Sequence, residues 1–185
     1  MNRFYITGLP RSRTAWFSAL FSCGDVFCSH EGVSRYRSPK EYISATEYMP
    51  YDYIGDSNTL LVLKYNELVK SQDKVVVVLR DINDSVESSM KWLDKQGISD
   101  KSLHKVLLEK YTEYDKTIRS IYALQVRFED IDDRIEEIWD YCIGEYYDPV
   151  RVEEYKKLNI QTTITMSDYI QSPMTNSGGV KCLGL

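Results

Sequence analysis

Apolar positions along the chain fall into short runs separated by longer amphipathic stretches. Phe4 to Thr7 predicts a short strand, followed by a loop at Gly8 to Ser12 and a helix from about Arg13 to Ser22. Asp25 to Ser29 reads as a second strand, and Ser38-Pro39 opens a helix through about Glu47, since proline is favoured in a first turn. Asn58 to Lys64 (NTLLVLK) and Lys74 to Leu79 (KVVVVL) are apolar on both faces, as strands of a covered parallel sheet are. Asn83-Asp84 predicts the cap of a helix reaching about Lys95, where Gly97 stops it, and Asp84 with Glu87 resembles a capping box. From Asp100 to Ser120, apolar residues recur near helical spacing. Ala123 to Phe128 predicts another strand, Asp132 to Ile143 a helix, and Pro149 to Leu158 a shorter one.

Strands alternating with helices in this way predict an α/β fold, a three-layer α/β/α sandwich on a mostly parallel central sheet. In such a sheet, ligands bind outside the carboxyl ends of the strands. Gly8 to Ser12 and Arg80 each follow a strand, so one shared sheet brings them to the same edge.

Composition narrows the picture. A chain of 185 residues, without repeats or an interior linker, suits one domain over residues 1–170, with 171–185 (QSPMTNSGG onward) as a loose tail. With 43% hydrophobic and 28% charged residues the chain is expected to be globular. The longest apolar run, Val75 to Leu79, is far short of a membrane span, and the N-terminus lacks the apolar stretch of a signal peptide, so a cytoplasmic protein is expected. A net charge of −5 argues against nucleic acid or an acidic membrane as partner. Any anion site must therefore be built locally. Cys23, Cys28, Cys142 and Cys182 form no CxxC pair, and with only His30 and His104 beside them no metal site is expected. Cys23 and Cys28 also fit a redox pair, but two reduced cysteines packing in and behind a helix is the preferred reading.

A strand, a Gly/Pro loop and a helix start together make an anion cradle, because the first N–H groups of the helix and its dipole favour negative charge. GLPRSRTAW, Gly8 to Trp16, supplies one, with Arg11 and Arg13 adding charge and Ser12 and Thr14 adding hydroxyl donors. It does not fit the nucleoside-triphosphate motif GxxxxGK[ST], which needs glycine, lysine and serine or threonine where this chain has Arg13, Thr14 and Ala15. Asp81 comes near a kinase's strand-end aspartate but stands behind Arg80.

The loop instead resembles the 5′-phosphosulfate loop of the sulfotransferase superfamily, Pro-[Lys/Arg]-Ser-Gly-Thr-[Thr/Ser]-[Trp/Leu]. Here it reads Pro10, Arg11, Ser12, Arg13, Thr14, Ala15, Trp16, with Arg13 in the glycine slot. The family follows a later strand with an arginine and, eight positions on, a serine. VVVVL-Arg80 to Ser88 keeps that spacing, with Asp84 at the family's acidic position. Val126-Arg127-Phe128-Glu129-Asp130-Ile131 resembles the family's (R)YEDL segment, followed likewise by a helix and Ile143-Gly144. The likeness covers most of residues 4–145 and is nearest to short bacterial and phage-borne members. The family's C-terminal GxxGxWK-type element has only a poor counterpart in Gly178-Gly179-Val180-Lys181.

The resemblance implies a P-loop-like fold and a metal-free reaction. A sulfuryl group passes from 3′-phosphoadenosine-5′-phosphosulfate (PAPS) to a hydroxyl acceptor, leaving 3′,5′-bisphosphoadenosine (PAP). It implies that Arg11, Ser12, Arg13, Thr14 and Ala15 hold the 5′-phosphosulfate, that Arg80 and Ser88 hold the 3′-phosphate, and that a phage-borne member works in its host's cytoplasm. Some members use a histidine base in a Leu-Lys-Thr-His motif; here that stretch is Leu63-Lys64-Tyr65-Asn66, which keeps the lysine and loses the base. Others use a glutamate soon after the phosphate-loop helix, and Cys28-Ser29-His30-Glu31 lies at a comparable distance. Glu31 is the candidate base, with Lys64 and Arg11 stabilising the transferring group. His30 is the rival base, and Glu31 paired with Arg35 or Arg37, or Lys64 as a solvated strand-end cation, are the plainer alternatives. The tyrosine-rich stretch from Gly32 to Asp56 fits a mobile acceptor-side segment or ordinary half-buried packing. A P-loop kinase of a small molecule and a catalytically idle nucleotide-binding module are the competing functions.

Overall fold

The structure is a computed structural model that describes residues 2–59, 61, 68–98, 100–144 and 147–158. Its frame is five parallel strands, β1 (Asn2–Gly8), β2 (Val26–His30), β3 (Tyr53–Ser57), β4 (Lys74–Leu79) and β5 (Leu124–Arg127), in the order β2-β3-β1-β4-β5. Among the described residues, six α-helices connect or flank them: α1 (Thr14–Phe21), α2 (Pro39–Thr46), α3 (Ile82–Lys95), α4 (Ser102–Ser120), α5 (Ile135–Cys142) and α6 (Pro149–Lys156). Short 3-10 turns span Gly32–Arg35 and Phe128–Asp130.

Strand side chains alternate between two faces, and each face is covered. Phe4, Ile6, Val76 and Val78 pack with Trp16, Phe17, Leu20 and Phe21 of α1 and with Ile138 and Trp139 of α5. Tyr5, Val75 and Val77 pack on the opposite face with Tyr42 of α2, Val86 of α3 and Tyr111 of α4. The expected α/β/α sandwich is therefore present. Each fully buried large side chain contributes about 1.5–3 kcal/mol by its removal from water. Cys28 and Cys142 belong to the first of these cores, where burial pushes both thiols up.

Helix α1, which starts at the glycine loop, is fixed at both ends. Its last carbonyls have no partners within the helix. Arg151 of α6 supplies them, donating from Nε to the Leu20 carbonyl at 2.8 Å and from Nη2 to those of Ala19 and Ser22. The indole N–H of Trp16 donates to the Tyr155 carbonyl at 2.8 Å, and Ser18 donates to the Cys28 carbonyl at 2.7 Å.

Three expectations are corrected. The strand read at Asn58 to Lys64 lies earlier, at Tyr53–Ser57; Asn58 follows its end, Thr59 sits in a turn, and Leu61 is helical. The rest of that stretch, Leu60 and Val62 to Lys64, lies outside the described residues. The strand hid behind Gly55-Asp56-Ser57, residue types that ordinarily mark a turn. Gly55 is required there because the Phe4 ring lies over it, and a Cβ would stand 2.2 Å from Phe4 Cζ. Second, α3 is capped by Asp81 rather than Asn83-Asp84, its carboxylate accepting from the N–H groups of Asn83 and Asp84 at 2.8 and 3.1 Å. Third, the helix expected from Asp132 begins at Ile135, after the 3-10 turn.

Candidate functional site

Because all five strands run the same way, Gly8, His30, Ser57, Leu79 and Arg127 end at one edge. Gly8 lies against β4 so closely that a Cβ would meet the Val78 carbonyl oxygen at 2.6 Å. The loop that follows is held by its carbonyls. Ser85 Oγ donates to the Pro10 carbonyl at 2.5 Å, and Arg80 Nη1 donates to the Arg11 carbonyl.

Arg11 and Arg13 both adopt left-handed backbone, with φ of 72° and 60°. That conformation costs a residue with a Cβ about 1–2 kcal/mol, which is why glycine is the expected occupant. Arg13 takes the glycine slot's conformation and turns its side chain away from the loop. The guanidinium pairs with Asp132 at 2.5 Å and lies 5.5 Å from the Trp16 ring centre and 5.4 Å from that of Phe128. Its carbonyl accepts from the Phe17 N–H at 2.9 Å, the first bond of α1. Ala15 follows within the first turn of that helix.

The predicted partners meet here. Arg80 stacks on Phe128, 4.1 Å from the ring centre, and Ser88 lies in the second turn of α3. Arg11 links them, receiving Arg80 at its carbonyl and donating from Nε to Ser88 Oγ at 3.5 Å. Burial holds the Arg11 guanidinium below its ordinary value, and the charge of Arg80 adds to this. Arg80 is likewise lowered by burial, with Asp84 and Glu129 opposing and Arg13 reinforcing. Like charges gathered in a half-buried place favour a bound anion. Ser12 Oγ and Arg80 Nε are buried here with no hydrogen-bond partner among the described residues. Such orphaned donors are uncommon in a folded protein.

The other half of the edge comes from β2 and β3. His30 ends β2, and its Nε2 lies 3.2 Å from Thr14 Oγ1 at the start of α1. Burial lowers the His30 pKa, with Glu31 opposing and Arg35 reinforcing. Glu31 follows with left-handed backbone, φ 52°, and accepts from Thr59 Oγ1 at 3.3 Å. The loop is pinned from below by Asp56, a residue that sequence reading missed. Its fully buried carboxylate accepts from Ser29 Oγ at 2.8 Å, Gly32 N–H at 2.7 Å, Val33 N–H at 3.2 Å and Asn58 Nδ2 at 3.1 Å. Burial raises its pKa to about 6, the hydrogen bonds offsetting part of the rise. Its signal in the sequence was slight, an aspartate four residues before the apolar run LLVL.

Lys64 and Asn66 lie outside the described residues, as does the tail carrying Gly178 to Lys181. The tyrosine-rich stretch holds a 3-10 turn, α2 and most of β3, and Tyr42 is fully buried within it. Among the described residues no helix is long and apolar enough to cross a membrane.

No protein-family profile matches the chain, and no curated protein sequence is detectably similar to it. Solved structures are. A sulfotransferase domain from the curacin biosynthetic pathway superposes with a TM-score of 0.58 at 11% identity, over 85% of this chain and 78% of that one. Mouse sulfotransferase SULT7A1, complexed with PAP, gives 0.60 at 12% identity, over 84% of this chain and 63% of its own length. A sulfotransferase from Alicyclobacillus acidocaldarius gives 0.56 at 11% identity, over 83% of this chain and 89% of that one. These superpositions, together with the parallel sheet and its flanking helices, show that the chain has the P-loop-like α/β fold of the sulfotransferases.

Proposed function

We propose that this protein moves a sulfuryl group from PAPS to a hydroxyl acceptor. The observation that carries the proposal is the convergence of Arg11, Arg80 and Ser88 beside the loop, with Ser12 Oγ and Arg80 Nε buried and unpartnered among the described residues. The donor's two phosphate ends supply an acceptor for each orphan, the 5′ end for Ser12 Oγ and the 3′-phosphate for Arg80 Nε, and relieve the crowding of like charge. The mouse neighbour's complex with PAP supports the choice of nucleotide.

In this reading, the 5′-phosphosulfate lies on Arg11, the hydroxyls of Ser12 and Thr14, and the first N–H groups of α1 through Arg13 and Ala15. The 3′-phosphate lies against Arg80 and Ser88. The acceptor oxygen attacks sulfur in line, the bond from sulfur to the bridging phosphate oxygen breaks, and PAP leaves with that electron pair. Glu31 takes the acceptor's proton. Arg11 and Lys64 stabilise the charge that develops on the leaving oxygen and the transferring group. No metal is assigned a role, the protein is taken to work in the cytoplasm, and neither nucleic acid nor membrane is assigned as partner.

A kinase of a small molecule would place a phosphate-binding lysine and a magnesium-binding hydroxyl where Thr14 and Ala15 stand. An idle nucleotide-binding module would keep the donor site without turnover.

The donor's orientation has its own test. Replacing Arg80 by alanine is expected to weaken PAP binding by about ten- to a hundredfold, the worth of a charge-assisted pair of hydrogen bonds, while AMP loses only a few fold. Titration calorimetry with both nucleotides measures the ratio. An unchanged preference for PAP over AMP would remove Arg80 from the 3′-phosphate.

A further inference from the structure

The contact between His30 and Thr14 is not used by the chemistry above. Thr14 opens α1, and its hydroxyl is one of the groups assigned to the phosphosulfate. The His30 ring reaches it across the sheet edge, with Nε2 3.2 Å from Thr14 Oγ1. A hydroxyl has a single proton to give. When Nε2 is unprotonated it accepts that proton, and Thr14 then has none for an anion in the loop. When Nε2 carries a proton, in the imidazolium or in the neutral Nε2–H tautomer, it donates to Thr14 Oγ1 and the threonine's own O–H is released toward the loop; the negative charge of a bound donor favours the imidazolium of the two.

We propose that His30 is a positioning residue that turns the Thr14 hydroxyl toward the donor, and that it takes up one proton from solvent as the donor binds. The inference rests on the donor site proposed above. The imidazole gains the proton, and Thr14 keeps its own and redirects it. Glu31 next in the chain favours the imidazolium, whereas Arg35 of the following 3-10 turn and burial oppose it. On the neighbouring strand, burial raises Asp56 to about 6, and Arg11 and Arg13 belong to the facing loop. An incoming phosphosulfate adds negative charge on the loop side and so tips the ring toward its charged form.

The expected signature is a proton count, which a merely structural histidine would not alter. Calorimetric titration with PAP in buffers of different ionisation enthalpy should give a larger proton uptake for the wild type than for His30→Asn. Comparing the two proteins cancels the protons of the PAP phosphates and of Asp56. As the pH falls from about 8 to 6, wild-type affinity should gain on that of the variant by up to about tenfold per unit. Thr14→Val should lower the uptake by itself, which keeps the test intact if His30→Asn folds poorly. Introduced into both the wild type and His30→Asn, it should shrink the difference between them. Equal proton counts in wild type and variant, or a difference undiminished by Thr14→Val, would overturn the role given to His30. Failure of the wild type to bind PAP would instead overturn the donor site itself.

Discussion

Replacing Glu31 by glutamine is expected to lower sulfuryl transfer by about a hundredfold or more, the usual contribution of a general base, with PAP affinity held within a few fold. Glutamine keeps the length of the side chain and an oxygen able to accept from Thr59 Oγ1, the contact seen at 3.3 Å. It cannot take a proton. The left-handed turn at Glu31 and the bond from its N–H to the Ser57 carbonyl at 3.0 Å depend on the backbone and survive the change. The donor loop lies on the other side of His30 and is expected to bind nucleotide as before. The assay follows PAP released from PAPS with a panel of phenols, sugars and tyrosine peptides. Full turnover in the variant would place the base elsewhere, with His30 the adjacent candidate.

Replacing Asp56 by alanine is expected to cost about 3–5 kcal/mol of stability. Ser29 Oγ keeps a second acceptor in the Gly55 carbonyl at 3.2 Å, and Asn58 keeps Ser34 Oγ at 3.2 Å. The N–H groups of Gly32 and Val33 have the Asp56 carboxylate as their partner, and both residues are buried. Each N–H left unpaired in the interior costs about 1–3 kcal/mol. For a chain of this size the loss corresponds to about 10 °C in Tm. Activity falls as well, because the same two bonds seat the turn that carries Glu31. Urea denaturation monitored by circular dichroism measures the loss.

Asp56 also gives the fold a pH dependence of definite sign. Its native pKa, raised to about 6 by burial, lies above that of an unfolded aspartate near 3.8. The native state therefore holds this proton longer than the unfolded chain does. The contribution is full below about pH 4 and is lost as the pH rises through about 6. The alanine variant should show a flatter stability profile across that window.

The sequence made the sheet edge legible and concealed much of what organises it. β1 was readable as a short run before the glycine loop and β4 because its residues are apolar on both faces, and the spacing from Arg80 to Ser88 placed both beside Arg11. β3 was not readable. Gly55 and Asp56 have turn-like chemistry, and the reasons for them, the Phe4 ring and the buried hydrogen bonds, come from residues distant in the chain. Arg13 posed the same difficulty. Its positive φ makes it a true occupant of a glycine position, but Asp132, 119 residues away, anchors its side chain. The cap at Asp81 was a nearer miss, since an aspartate directly after the strand already carried the signal.

The central claim is that the edge holds a nucleotide with phosphates at both its 3′ and 5′ positions. Thermal unfolding with PAP, AMP and ATP, with and without magnesium, tests it most directly. PAP at a hundred times its dissociation constant adds about 2.7 kcal/mol, a rise of roughly 5–10 °C for a chain of this length. That rise is expected without magnesium, with AMP and ATP far behind. Equal shifts from AMP and PAP, or a larger magnesium-dependent shift from ATP, would contradict it.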